Sequence, residues 1–113
     1  MIIGVNMQAL LENEVMSMYT QDRATSEFET LMERAKSADA VLKSQIENDI
    51  VSRGMKFVPE LINHIQNNKG VTRGLCAMSL IRIGKACESM IRQAAGMNRE
   101  FAWAAAAILR EMA

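Results

Sequence analysis

The sequence predicts an all-α fold built from short antiparallel helical hairpins, and three observations support that prediction. Half of the 113 residues are hydrophobic but only 4% are aromatic, and ten are Met, so the apolar content is mainly aliphatic and suits helix packing. A single Pro and six Gly leave few positions at which a helix must break. Apolar residues also recur every three or four positions along much of the chain, which is the period of one helix face.

Three helices are predicted before residue 54. A helix over about residues 5–19 is indicated by an apolar stripe at helical spacing. The next helix is expected to open at Ser26, because Glu29 three positions later completes a capping box. Ser37 can cap the third helix, and Gly54 suits the left-handed position that ends it. The residues of the first stripe are Met7, Leu10, Leu11, Val15 and Met18.

Four further helices are predicted from residue 57 onward. Pro59 lies where a first helical turn tolerates proline, and the polar run 67–70 closes that helix. The other three are expected at about 71–83, ended by Gly84, at 86–95, ended by Gly96, and at 98–112, capped by Asn98. Because the connecting loops are short, neighbouring helices must lie antiparallel.

The chain also contains a degenerate repeat with a period of about thirty residues. Within it, the segment 57–84 resembles a HEAT repeat of the short bacterial type. That segment reads FVPELI, then the turn NNKG, then VTR at the start of a second helix and an apolar run ending in Ile83-Gly84. One departure is that Asn67 and Asn68 occupy the turn where the family often has an acid, so Arg73 lacks that charged partner.

The resemblance implies a single domain over residues 1–113, arranged as a short α-solenoid of about seven helices. An N-terminal helix within 5–25 would precede three helix pairs at 26–54, 55–84 and 85–113. The second helices, 38–53, 71–84 and 98–112, would line the concave side, and the first helices, 28–36, 57–67 and 86–95, the convex side. The family generally binds proteins through its concave surface, since stacked repeats form an extended rigid groove.

Charge and cysteine content narrow the function classes. Thirteen basic and thirteen acidic side chains cancel, which argues against a dedicated nucleic-acid or membrane-surface protein. Residues 1–54 carry nine acids and five bases, a balance of −4, and residues 55–113 carry four acids and eight bases, a balance of +4. A head-to-tail contact between copies would therefore be favoured electrostatically, although surface charges scatter unevenly by chance as well. Cys76 and Cys87 form no metal or redox motif and are predicted to be core residues.

No signal peptide or membrane span is predicted. The opening residues lack a basic leader, and the longest apolar run, 101–109, is much shorter than a bilayer requires. We expect no membrane association and a cytoplasmic, reducing location.

We expect neither a catalytic site nor a metal site. His64 is the only histidine, and Glu60 lies four residues earlier, a spacing that could place two ligands on one metal. A metal site needs more ligands than these, so a helical-bundle metal protein or enzyme is the weakest alternative, and both residues are expected on a solvated helix face. No nucleophile motif or phosphate-binding loop occurs. We therefore predict no catalytic residue, cofactor or metal.

The last helix is the most unusual feature of the sequence. Between Glu100 and Arg110 it is apolar on every face, whereas a terminal solenoid helix should be polar outside. Neighbouring helices, including the first, could cover it. Alternatively it is a partner surface, in which Trp103 is an aromatic anchor and a symmetric dimer is the simplest arrangement.

The sequence therefore predicts a non-catalytic protein-binding scaffold, with self-association through the last helix as one form of that function. The expected partner is a protein, including a second copy. The alternative is nucleic-acid binding through the basic later half, which lacks a Lys/Arg run and aromatic interleaving. The predicted binding residues are Trp103, Ala107, Arg110, Arg73, Arg82, Arg99 and Met78.

Overall fold

The computed structural model describes residues 23–112, which are 91% helical and contain no β-strand. The all-α prediction is confirmed over this part of the chain. Helix α1 occupies residues 23–36, where the description begins, and five helices follow. They are α2 (Ala40–Ser52), α3 (Val58–Asn67), α4 (Val71–Ile83), α5 (Glu88–Met97) and α6 (Arg99–Met112). The helix predicted over 5–19 lies outside the described residues.

Two short 3-10 turns, Gly54–Phe57 and Gly84–Cys87, precede α3 and α5. Each begins at a glycine with positive φ, +56° at Gly54 and +81° at Gly84. These are backbone angles that L side chains rarely adopt, and glycine reaches them without steric cost. The predicted stops at both glycines are confirmed, and so is their thirty-residue spacing as a repeated local structure.

The helix caps confirm one prediction and correct another. The side chain of Asn98 accepts hydrogen bonds from the backbone N–H groups of Glu100 (3.0 Å) and Phe101 (3.2 Å), as expected for the cap of α6. Ser37 was the wrong cap for α2. Asp39 takes that position, with extended backbone (ψ 179°) and Oδ1 accepting from the N–H of Leu42 at 2.8 Å.

Two predicted helix boundaries were also wrong. Residue 23 is already helical, so Ser26 and Glu29 do not form a capping box, and the Ser26 carbonyl instead accepts a hydrogen bond from the Thr30 hydroxyl. Gly96 does not end α5, which continues through Met97. Its φ is not positive, so the backbone stays in the right-handed helical region until the extended residue Asn98.

Helix α4 is at the centre of the packing. It contacts α2 and α6 on its two sides and α3 across the core, while α3 also contacts α5, and α5 contacts α6. Helices α2, α4 and α6 therefore form one row of neighbours, and α3 and α5 belong to a second. Helix α1 joins α3 through Phe28, whose ring centroid lies 5.8 Å from those of Phe57 and His64.

The core is aliphatic and small-residue rich, as the composition predicts. Cys76 and Cys87 are both buried and form no disulfide. Their prediction as core residues is therefore confirmed. Burial raises the pKa of Cys76 to about 12. Fully buried side chains at its centre include Phe57, Leu61, Leu80, Ile91 and Ile50.

Ion pairs join elements that are distant in sequence. Glu27 of α1 pairs with Arg53 and with Lys56, which lies at 3.2 Å. Arg82 of α4 donates to Glu47 of α2 at 2.7 Å. Within residues 23–112, no helix has the length and hydropathy needed to cross a membrane.

Candidate functional site

The outer face of α6 carries an exposed stripe of basic and apolar residues. We define the α6 stripe as Arg99, Trp103, Ala106 and Arg110. At 100° per residue these four positions fall within a sector of about 60°. Trp103 is 82% exposed, the other three are also exposed, and the opposite face of the helix enters the core. The sequence prediction that Trp103 points away from the core is therefore confirmed.

The α6 stripe is basic and contains no acid. Neither Arg99 nor Arg110 forms an ion pair among the described residues. The two acids of α6 lie about 80° or more from the centre of the stripe, and Glu111 borders the space between α4 and α6. The two guanidinium groups are thus free to meet anionic groups from outside.

A shallow apolar groove separates the exposed parts of α4 and α6. We call it the α4/α6 groove; its volume is about 470 Å³. Gly74 leaves it open on the α4 side, since a Cβ at that position would meet no atom within 4 Å. Arg73 and Glu111 are the charged residues along it. Its apolar lining includes Ile65, Ala77, Ile81, Ala104, Ala107 and Ile108.

The predicted binding residues divide between these two surfaces and a third location. Trp103, Arg99 and Arg110 lie on the α6 stripe, while Arg73 and Ala107 line the α4/α6 groove. Ala107 is four residues after Trp103, so the two surfaces adjoin on α6. The remaining two lie on α4 outside the groove. These are Met78, which is 48% exposed, and Arg82.

Arg82 is already engaged within the fold. Its Nη1 donates to Glu47 Oε2 at 2.7 Å and to Asn48 Oδ1 at 2.8 Å, both on α2. The side chain therefore ties α4 to α2. Its Nη1 is therefore committed to α2, and an external partner would meet the remaining N–H groups of the guanidinium.

Sequence reasoning predicted Ala107 but missed the rest of the apolar lining of the groove. Ala77 and Ile81 are one turn apart on α4, and Ala104 and Ile108 are one turn apart on α6. Their four-residue spacing, together with a glycine near the start of α4, was the available signal. It could not be used alone, because the periodicity does not say which face of α4 meets α6.

His64 bridges α3 and α4, so the expectation that it lies on a solvated face is wrong. Its Nε2 lies 2.8 Å from the hydroxyl of buried Thr72, and its Nδ1 lies 3.2 Å from the side-chain nitrogen of Asn68. Because the side-chain nitrogen of Asn68 can only donate, Nδ1 accepts and Nε2 carries the proton. Burial lowers the pKa of His64, with a further contribution from Lys36. The ring is thus held neutral as a structural link.

Glu60 and His64 border the same cavity of about 350 Å³ between α1 and α3, but their atoms have separate partners. Glu60 accepts a hydrogen bond from the Thr25 hydroxyl at 3.3 Å. Between residues 23 and 112, no group of three or more His, Cys, Asp or Glu side chains is placed to hold a metal.

In the turn between α3 and α4, Asn67 and Asn68 leave Arg73 without the acidic partner that the HEAT family often has there, as the sequence predicts. Asn68 bonds to His64, and Asn67 bonds to Asn63, so both amides serve α3. Arg73 forms no ion pair in the described part of the chain and remains half-buried at the groove.

The chain was compared with protein-family models, with curated proteins and with solved structures, and nothing in the three sets matches it.

Proposed function

We propose that this protein is a non-catalytic protein-binding module whose helix pairs stack as a short HEAT-like α-solenoid. Two observations support the stacking. The row of α2, α4 and α6 lies beside the second row, and the glycine-initiated turns recur before α3 and α5. A solenoid of this kind offers a rigid surface for a partner.

The observation that carries the binding function is the exposure of Trp103. A tryptophan that is 82% exposed leaves a large apolar surface in water. It lies beside exposed alanines and next to the α4/α6 groove, so a partner could bury the ring and the groove together. A buried Trp anchor commonly contributes about 2–4 kcal/mol to an interface, enough to dominate a moderate affinity.

The test is co-purification with the full chain, followed by reconstitution with the purified partner. Trp103→Asp is expected to weaken binding by at least about thirtyfold, which corresponds to about 2 kcal/mol. Val41→Asp is the matched control, because Val41 is also exposed (67%) but lies on α2. Equal binding by the native chain and the Trp103→Asp chain would refute the proposed role of this surface.

Self-association through α6 is the competing form of this function, because a second copy would occupy the same surface as another partner. Multi-angle light scattering at tens of micromolar tests it, with a dimer in the native chain and a monomer in the Trp103→Asp chain as the supporting result. A native chain that is strictly monomeric, with tryptophan emission typical of a buried ring, would contradict it.

A further inference from the structure

The α6 stripe occupies positions that, one repeat earlier on α4, border the next helix of the row. The buried residues Thr72, Cys76 and Ser79 of α4 correspond to the buried residues Phe101, Ala105 and Ile108 of α6, each 29 positions later. The α4 residues that line the groove beside α6 are Arg73, Gly74, Ala77 and Ile81. The same offset of 29 positions makes Ala102, Trp103, Ala106 and Arg110 their equivalents on α6. The stripe is therefore placed to receive another helix, as α4 receives α6.

The apolar surface that residues 23–112 leave uncovered at this end is limited to α6. On α3, Val58 and Ile62 are buried, whereas the positions thirty residues later on α5 are Glu88 and Arg92. These two residues form an exposed ion pair at 2.8 Å. At these positions α5 thus presents an ion pair to solvent, whereas the α6 stripe presents Trp103 and Ala106 between its two arginines, which favours α6 as the surface for an apolar partner.

Contacts within the row indicate the chemistry that such a helix needs. Helix α6 meets α4 through small apolar residues, with Ala104 and Ala107 bordering the same groove as Ala77. Helix α4 meets α2 through an Arg82–Glu47 pair at 2.7 Å, in which the neighbouring helix supplies the acid. On the α6 stripe, Arg99 and Arg110 have no such acid. They lie eleven residues apart, or about 16 Å along the helix.

We propose that the α6 stripe binds an amphipathic helix of a partner protein, one that carries small apolar side chains flanked by acidic residues about three turns apart. This proposal rests on the proposed protein-binding function and specifies the partner's chemistry. The partner's acids pair with Arg99 and Arg110, and its apolar seam packs on Trp103 and Ala106. Charge complementarity of this kind governs which partner is accepted more than how tightly it is held.

The same charges disfavour two other occupants. In a symmetric antiparallel dimer through α6, Arg99 of one copy would face Arg110 of the other, which places like charges together. A nucleic acid would find only two unpaired cations on the stripe, about 16 Å apart, whereas successive phosphates on one strand are spaced by about 3.4 Å along the helix axis. An acidic helix matches both the spacing and the apolar seam.

The experiment uses the full chain and two synthetic 18-residue helical peptides without aromatic residues. Both peptides have the same Ala/Leu seam, but one has Glu at positions eleven residues apart and the other has Lys. Binding is followed by calorimetry and by the emission of Trp103, the only tryptophan in the chain. We expect the Glu peptide to bind at least about tenfold more tightly than the Lys peptide and to shift the emission to shorter wavelength.

Reversing the charges of Arg99 and Arg110 tests whether these two residues select the partner. The double variant Arg99→Glu, Arg110→Glu is expected to reverse the preference, binding the Lys peptide more tightly than the Glu peptide. Arg34→Glu is the matched control, because Arg34 is exposed on α1 and far along the chain from the stripe, and it should leave the preference unchanged.

Each alternative outcome overturns the proposal in a recognisable way. Equal binding of both peptides, lost in the Trp103→Asp chain, would reject the acidic partner but leave protein binding through Trp103 in place. Binding of neither peptide would reject the helix partner, while the reconstitution experiment judges the protein-binding function separately. Burial of Trp103 by a second copy, or tight binding of single-stranded RNA at low salt instead of the Glu peptide, would assign the stripe to another occupant.

Discussion

Substitution of Gly84 by alanine tests the turn that separates α4 from α5. Gly84 has φ +81° and ψ −149°, a region almost restricted to glycine. The new Cβ would meet no atom within 4 Å, so the cost is backbone strain alone. Such strain is about 1–3 kcal/mol, and the lower entropy of the unfolded Ala chain offsets about 0.4–1 kcal/mol of it. We expect Gly84→Ala to lower the free energy of unfolding by about 1–2 kcal/mol.

The measurement is urea unfolding of the full chain followed by circular dichroism at 222 nm. With a slope of about 1–1.5 kcal/mol per molar urea for a chain of this size, the midpoint should fall by about 1 M. Gly74→Ala is the matched control, since Gly74 lies inside α4 and its Cβ would also enter open space. There alanine is the better helix former, so stability should rise by up to about 1 kcal/mol. If Gly84→Ala is as stable as the native chain, the strained-turn reasoning is refuted.

Three further predictions concern single side chains. Asp39→Ala should lower the free energy of unfolding by about 1 kcal/mol, because it removes the cap of α2, whereas Ser37→Ala should leave it nearly unchanged; equal effects in urea unfolding would contradict the cap assignment. The lowered pKa of His64 means that its contribution is fully present above the unfolded pKa of about 6.5 and is lost as the pH falls through the folded value. Stability should therefore fall between pH 7.5 and 5.5 in the native chain and fall less in His64→Gln, and parallel pH profiles would argue against this linkage. Cys76, buried with a pKa of about 12, should resist alkylation by iodoacetamide at pH 8 under native conditions and react in urea; rapid native labelling seen by mass spectrometry would show that the core opens there.

Local signals succeeded where one residue alone determines the backbone. Pro59 in the first turn of α3, Gly54 and Gly84 at positive φ, and Asn98 at the start of α6 were all predicted correctly. Each acts through its own dihedral angles or through hydrogen bonds to residues two or three positions away. Such effects do not depend on how the helices pack.

Local signals failed where two candidates compete. Ser37 and Asp39 are both acceptable caps, and the choice depends on where the chain turns out of α1. The pair Ser26 and Glu29 has the capping pattern, yet a helix already runs through it. Gly96 can end a helix but is also tolerated within one at a cost of about 1 kcal/mol, so its presence does not decide the boundary.

Sequence periodicity located part of the candidate site and missed the rest. It correctly separated Trp103 from the buried face of α6, because the helical period assigns residues to faces without knowledge of neighbours. It left Arg82 as a candidate binding residue, although its partner Glu47 lies 35 positions earlier in the chain. It did not predict that His64 would bond to Thr72. Pairing across helices depends on their separation and rotation, which no single helix encodes.

By itself, the sequence determined that residues 23–112 are helical and that Trp103 lies away from the buried face of α6. The physical reason is that helix propensity, caps and face periodicity act within a few residues. Only the tertiary structure decided that α4 lies between α2 and α6, that Glu88 and Arg92 form an ion pair on α5, and that the rest of residues 23–112 leaves the neighbouring face of α6 uncovered. Covering a face requires another element at contact distance, and that distance is set by packing of the whole chain.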